Sequence, residues 1–228
     1  MGRHEIFYRH YVYVFKPHSL TEILFPLRCF GCRALGPSIC SQCRVLWNPH
    51  LYRSTLDSMH VYSAILYSPV AKRIILSAKE NGVKAADDLI IHAISHSLHL
   101  LLRDFEVGIL VPAPSRKSSN RKRGRDFLSE ITHSIAQSES LDCMDLLIHT
   151  RKIKDQSELN AHERSENIYQ ALAINRNKLP ELGVDTDVIL VDDLLTTGAT
   201  LLEARRALEV RGIRVIAAIT ACLSPPLR

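Results

Sequence analysis

Residues 188–204 read VILVDDLLTTGATLLEA, and the change of character along this run decides the architecture. Residues 188–191 are unbroken apolar, as expected of a central parallel strand covered on both faces. That strand is expected to end at Val191. Two adjacent carboxylates follow, Asp192 and Asp193, and then Thr196-Thr197-Gly198-Ala199-Thr200 opens a helix over about 198–211, with Gly212 as its stop. In an open α/β sheet, ligands sit at the carboxyl ends of the strands. Small residues at a helix N-terminus let backbone N–H groups approach a phosphate, and threonine hydroxyls add donors. Gly198 permits a close approach or a left-handed conformation that larger residues resist. Asp192 and Asp193 would repel a phosphate, so they are expected to face ribose hydroxyls, with Mg²⁺ nearby. The run therefore describes a ribose 5-phosphate site. A Walker-type strand also ends in Asp, but no GxxxxGK[ST] run exists here. An acidic strand end followed by an ordinary threonine cap stays open as the simpler alternative.

Working outward, residues 61–67 have strand character, and 69–79 read as a helix ended by Asn81-Gly82. Residues 85–103 form the clearest amphipathic helix, with Ile90, Ala93, Ile94, Ser97, Leu98 and Leu101 on one face. Asp88, His92, His96 and His99 lie opposite at ligand-like spacing. Facing a clear apolar stripe, they are read as a solvated polar stripe rather than a metal site. A strand at 108–112, a basic loop, a helix near 126–137 and a short apolar segment at 146–149 come next. A polar stretch and a loop at 175–187 follow, and 213–223 is the last strand. Strands alternating with helices predict an α/β fold built on a mostly parallel sheet.

The whole chain agrees with a soluble globular protein: 228 residues, 46% hydrophobic and 23% charged, with a net charge of +5. No apolar run approaches the roughly 20 residues of a membrane span, so no membrane insertion is expected. The N-terminal MGRHEIFYRHYVYVF lacks the marks of a signal peptide, which predicts a cytoplasmic location. Arg116, Lys117, Arg121, Lys122, Arg123 and Arg125 fall within ten residues without an acid. They form either a solvated basic loop or a phosphate contact. Without interleaved aromatics they make a poor stacking platform for single-stranded nucleic acid.

Four of the six cysteines make Cys29-x-x-Cys32 and Cys40-x-x-Cys43. Such paired turns suit a tetrahedral zinc site of four thiolates, closed to catalytic water and therefore structural. A disulfide pair or a redox CxxC competes with zinc. The absence of a signal peptide disfavours the first, and the second pair is surplus to the other. Cys143 and Cys222 read as small core residues. The chain is thus expected to divide into a zinc-knuckle segment, 1–50, and a domain over 51–228. Cys29→Ser is expected to loosen the first and leave the second folded.

VILVDDLLTTGAT closely resembles the phosphoribosyl-pyrophosphate (PRPP) signature of type I phosphoribosyltransferases. Together with the double CxxC, the chain resembles the ComF family of phosphoribosyltransferase-like proteins associated with natural competence. The other matching pieces are Lys79-x-x-Gly82, Val-Pro-x-Pro at 111–114, Arg123-Gly124, Gln156, Arg164 and Asn167. The match runs from about Leu24 onward and does not reach residues 1–20. The family usually follows its Arg-Gly with an aromatic residue and Asn-Gln, where this chain has Arg125, Asp126 and Phe127. The resemblance implies a type I phosphoribosyltransferase-like parallel sheet flanked by helices, a hood and a small N-terminal zinc module of four cysteines. It implies structural Zn²⁺, and Mg²⁺ with PRPP. PRPP would be held by Asp192, Asp193, Thr196, Thr197, Gly198, Ala199 and Thr200. Ser115, Arg116, Arg123 and Arg125 are placed like a pyrophosphate-binding basic loop, and residues 151–156 like a segment that closes over the site. It implies a role in DNA uptake with competence machinery, either with phosphoribosyl transfer or as a non-catalytic PRPP sensor or single-stranded-DNA or partner-binding adaptor. No catalytic residue and no acceptor are assigned.

Overall fold

The computed structural model of the chain describes residues 27–106, 108–154, 160–181 and 187–225. The N-terminal segment 1–26, Gln156 and the Gly183 part of the 175–187 loop lie outside these residues. The fold is α/β. Its main sheet has five strands: β1 (Tyr52–Leu56), β2 (Met59–Leu66), β3 (Ile109–Pro112), β6 (Asp187–Leu195) and β7 (Arg214–Leu223). They lie in the order β1-β2-β7-β6-β3. All neighbours are parallel except the β1–β2 pair. A small antiparallel pair, β4 (Leu147–His149) and β5 (Leu172–Ile174), stands apart. No described helix is long and apolar enough to cross a membrane.

The helices are α1 (Ser41–Leu46), α2 (Pro69–Lys79), α3 (Lys84–Leu101), α4 (Lys117–Arg123), α5 (Phe127–Glu139), α6 (Ala161–Ile168) and α7 (Ala199–Glu209). Along β6 the side chains alternate between two cores, as the pleat requires. Ile189 and Val191 pack with α2, α3 and α5, while Val188 and Leu190 pack with α7 and the β4–β5 pair. Helix α2 begins where the local chemistry directs it. Ser68 Oγ accepts the Ala71 N–H at 3.1 Å, and Pro69 fills the first helical turn without losing a bond. In α3 the apolar face is buried, Asp88, His92 and His99 are exposed, and His96 is half-buried. His99 pairs with Glu139 at 2.9 Å.

Four local expectations change. Strand β6 runs on to Leu195 instead of ending at Val191, because β7 continues beside it and pairs Asp192 with Thr220 and Leu195 with Leu223. Strand β1 is new, tied to β2 by a tight turn in which Asp57 and Ser58 take φ of 42° and 67°. Two left-handed residues suit a hairpin's twist, although Asp-Ser is a weaker signal than Asn-Gly. The basic loop is largely the helix α4, stopped by Gly124 at φ 71°. The polar stretch holds α6, whose capping box joins Asn160 and Glu163 reciprocally at 2.7 and 3.0 Å.

The cysteine segment is not separately cored. Cys29, Ile39, Cys43 and Trp47 belong to the same buried cluster as Val70, Ala71 and Ile74 of α2. Arg73 of α2 also donates to the Gly31 carbonyl at 2.7 Å. A Cβ on Gly31 would meet Cys43 Sγ at 2.6 Å and Val70 Cγ1 at 2.9 Å, so the knuckle and the helix touch backbone to side chain.

Candidate functional site

The parallel strands end together on one side of the molecule, and there the 192–200 turn forms a shallow, open cup. Its lining is Asp192 and residues 194–201. Gly198 caps α7 in the left-handed conformation, φ 75°. The first helical bond runs from Leu202 N–H to Gly198 O at 2.9 Å. Amides ahead of it have no partner inside the helix, and together with the helix dipole they favour an anion. Of these, the Ala199 N–H donates to Thr197 Oγ1 in a long bond of 3.4 Å.

Because β6 stays extended, the two carboxylates serve different partners. Asp192 lines the cup, and Asp193 is buried, with Oδ2 accepting from Lys79 Nζ at 2.6 Å. The Asp192 carboxylate also accepts the Asp193 backbone N–H at 2.8 Å. Burial and then the neighbouring Asp193 charge push the Asp192 carboxyl up to about 8. Burial would raise Asp193 too, but the Lys79 ammonium overrides it and holds Asp193 below the usual carboxylate range. Lys79 is shifted the other way. Burial opposes its charge, and Asp193 and Asp192 more than compensate, so its ammonium is held above the ordinary lysine range. The strand end therefore holds an internal Lys79–Asp193 ion pair beside an Asp192 carboxyl whose charged form is disfavoured. The repulsion that two bare carboxylates would exert on a phosphate is lessened.

Arg123, at the end of α4, brings a second buried cation to this region. Its side chain is 6% exposed and its Nε lies 3.5 Å from Glu80 Oε2, one residue beyond Lys79. Nε and Nη1 have no hydrogen-bond partner in the fold. Buried guanidinium donors without acceptors suit an anion supplied from outside. Arg125 also keeps two buried donors, Nε and Nη2, without a hydrogen-bond partner, but its Nη1 pairs with Asp87 at 2.8 Å and its guanidinium stacks over Phe127 at 5.1 Å, tying α3 to α5. Ser115 and Arg116 are half-buried at the end of β3, and Arg116 precedes α4 as its N-cap. The side chains of Lys117 and Lys122 lie outside the described part. Sequence order matched Lys79 and Arg123 to a family pattern, but nothing in it foretold that Lys79 would close on Asp193, 114 residues away.

At the other end of α2, the Sγ atoms of Cys29, Cys32, Cys40 and Cys43 all lie within 4.8 Å of one another. Cys32 and Cys40 sulfurs are 3.7 Å apart. Tetrahedral coordination at a Zn–S length of about 2.3 Å separates sulfurs by about 3.8 Å, so the four fit one metal ion. The Cys40 N–H donates to Cys29 Sγ at 3.3 Å, a bond that favours a thiolate ligand. All six cysteines are free of disulfides. Among the described residues this is the one group of three or more His, Cys, Asp or Glu side chains gathered closely enough to hold a metal, and the His stripe of α3 is not such a group.

Residues 122–226 match the phosphoribosyl transferase domain family, a span that begins in α4 and takes in strands β4 to β7 with the 192–200 turn. Among solved structures, the adenine phosphoribosyltransferase of Leishmania donovani is 14% identical, with 81% of this chain and 80% of that one covered and a TM-score of 0.36. The corresponding enzyme of Leishmania tarentolae is 15% identical, with 83% and 89% covered and a TM-score of 0.36. No curated protein matches the chain.

Proposed function

We propose that the chain binds PRPP with Mg²⁺ at the 192–200 turn and is built for phosphoribosyl transfer, as a ComF-like protein acting in DNA uptake. The observation that carries this reading is the Gly198-capped cup beside a charge-compensated carboxylate pair. In it the 5-phosphate takes the amides of the α7 start, and the ribose hydroxyls donate to Asp192. Asp193 joins them when a bound ligand draws Lys79 toward its own phosphates. Hard oxygen donors such as these carboxylates fit Mg²⁺, which would supply further neutralisation of the pyrophosphate.

Transfer would form a bond from an acceptor nucleophile to ribose C1 while the C1–O bond breaks and its electron pair leaves with pyrophosphate. Lys79 and Arg123 are the cations disposed to stabilise that leaving charge. Ser115 and Arg116, at the end of β3, would hold its far phosphate. Among the described residues no side chain stands out as a base for the acceptor, which keeps a second reading alive: a PRPP sensor that binds without turnover.

Calorimetry with Mg-PRPP tests the site. Replacing Asp192 and Asp193 together with Ala is expected to weaken binding at least about tenfold, since one charge-assisted hydrogen bond is worth roughly 1.5–3 kcal/mol. Absence of wild-type binding at millimolar ligand, or indifference to the double change, would refute the reading. Pyrophosphate release with candidate acceptors then separates the enzyme from the sensor. The finer assignment to DNA uptake rests on the order of the motifs. Its measure is single-stranded DNA binding through the 116–125 segment that falls steeply with salt, and loss of that dependence on Arg116→Glu with Arg121→Glu is the expected outcome.

A further inference from the structure

The four sulfurs of the knuckle are not equally placed. Cys29 and Cys43 are 0% and 4% exposed and stand inside the cluster that packs on α2. Cys32 is exposed and Cys40 half-buried. These outer two are close neighbours, with their Sγ atoms 3.7 Å apart across the intervening loop. The inner two are engaged elsewhere: Cys29 Sγ accepts the Cys40 N–H at 3.3 Å, and Cys43 Sγ fills the space beside Gly31. A metal-bound cysteine is held as the thiolate, which is also the form that attacks an oxidant. A solute arriving from water therefore meets Cys32 first, and Cys40 is the sulfur beside it.

The same segment is joined closely to α2. Gly31, the residue before Cys32, gives its carbonyl to Arg73 at 2.7 Å. Its Cα side lies so near Cys43 Sγ and Val70 Cγ1 that not even a Cβ would fit, so residue 31 has no slack against the helix. Drawing Cys32 toward Cys40 pulls on this contact. Lys79 stands on the last turn of the same helix.

We infer that Cys32 and Cys40 form a redox modification site, oxidised by hydrogen peroxide to a disulfide that takes the place of the metal. The Cys32 thiolate attacks one peroxide oxygen; the O–O bond breaks, hydroxide leaves, and Cys32 becomes a sulfenic acid. The Cys40 thiolate then attacks the Cys32 sulfur; the S–S bond forms, the S–O bond breaks, and a second hydroxide leaves. Two electrons pass from the sulfurs to the peroxide, and both hydroxides take protons from solvent to become water. Cys29 and Cys43 are then too few to complete a tetrahedral zinc site, so the metal departs. Their buried thiolates take up protons, because an unpaired charge in that core is costly. Helix α2 keeps its apolar packing but loses the fixed footing at Gly31, and with it the placing of Lys79.

The zinc-loaded full-length protein is treated with hydrogen peroxide, and released metal is followed with a chromogenic chelator. About one Zn²⁺ per chain is expected to be released. Peptide mapping is expected to find the Cys32–Cys40 bridge, and amide exchange in α2 to quicken at least about tenfold. Dithiothreitol with added zinc is expected to restore the original exchange. Cys32→His keeps a zinc ligand that cannot be bridged, and is expected to hold its metal under peroxide; Cys40→His is the second such variant should the first lose zinc. Zinc retained by the wild type, a bridge between any other pair, or unchanged α2 exchange after release overturns the inference. So does release from the histidine variant as fast as from the wild type. If neither histidine variant holds zinc, wild-type release and the peptide map decide alone. A protein that purifies without zinc overturns the metal reading, and the inference with it, before peroxide is added. Weaker Mg-PRPP binding by the oxidised protein is the one consequence that rests on the PRPP reading; zinc release, the bridge and α2 exchange stand without it.

Discussion

Gly198→Val is expected to abolish detectable Mg-PRPP binding and to lower the stability of the fold by about 3 kcal/mol, the sum of a left-handed penalty and overpacking. Two independent constraints act on this residue. Its φ of 75° is one that a β-branched side chain resists, and a Cβ there would overlap the Leu56 side chain, with Cδ2 at 2.7 Å. The overlap is with the outer atoms of the Leu56 side chain, which must turn aside against the β1–β2 hairpin. Relieving the strain would swing the α7 amides away from the cup. Urea unfolding reports the first effect and calorimetry the second. Gly198→Ala combined with Leu56→Ala should recover part of the stability, because it removes the overlap but not the left-handed strain. A Gly198→Val protein with wild-type stability and affinity would mean that neither constraint operates.

The reduced wild-type protein is expected to carry about one Zn²⁺ per chain, and Cys29→Ser to lose it together with much of the order of α2. Zinc binding is worth about 10–16 kcal/mol in isolated finger peptides, which rivals the whole stability of an ordinary domain. From sequence, the damage is expected to stay within residues 1–50. The packing points elsewhere, since Cys29 is fully buried in the cluster that holds α2, and Arg73 of α2 bonds to the Gly31 carbonyl. Hydrogen exchange in α2 should therefore quicken, and Mg-PRPP affinity should fall, because Lys79 sits on the last turn of that helix. Metal analysis, exchange and calorimetry read the three consequences. Zinc retained by Cys29→Ser, or α2 amides as protected as before, would contradict the coupling.

What was legible in the sequence was local or periodic. Residues 188–191 announced a buried strand because four consecutive apolar side chains need cover on both faces. Gly198 announced the turn because a left-handed residue at a helix start excludes most others. The two CxxC spacings announced a metal site because each tight turn brings a pair of sulfurs together, and the structure gathers all four within 4.8 Å. The stripe of α3 announced its buried face through its helical period. Each of these constraints spans a few residues, and so is written in consecutive letters.

The tertiary structure alone decided which groups meet. Lys79 neutralises Asp193 only because α2 ends over the end of β6, and Asp192 and Asp193 part company only because β7 keeps β6 extended past Val191. Arg123 and Arg125 look alike in a basic run of sequence. In the fold Arg123 lies against Glu80, beside Lys79, while Arg125 hydrogen-bonds to Asp87 on α3. The cysteine knuckle reads as a separate segment until Cys29 and Cys43 are seen inside the α2 core. The physical reason is the same in every case. Burial and charge pairing depend on elements distant in the chain, and a residue's partner is set by where the sheet order and helix packing bring it, not by its neighbours in sequence.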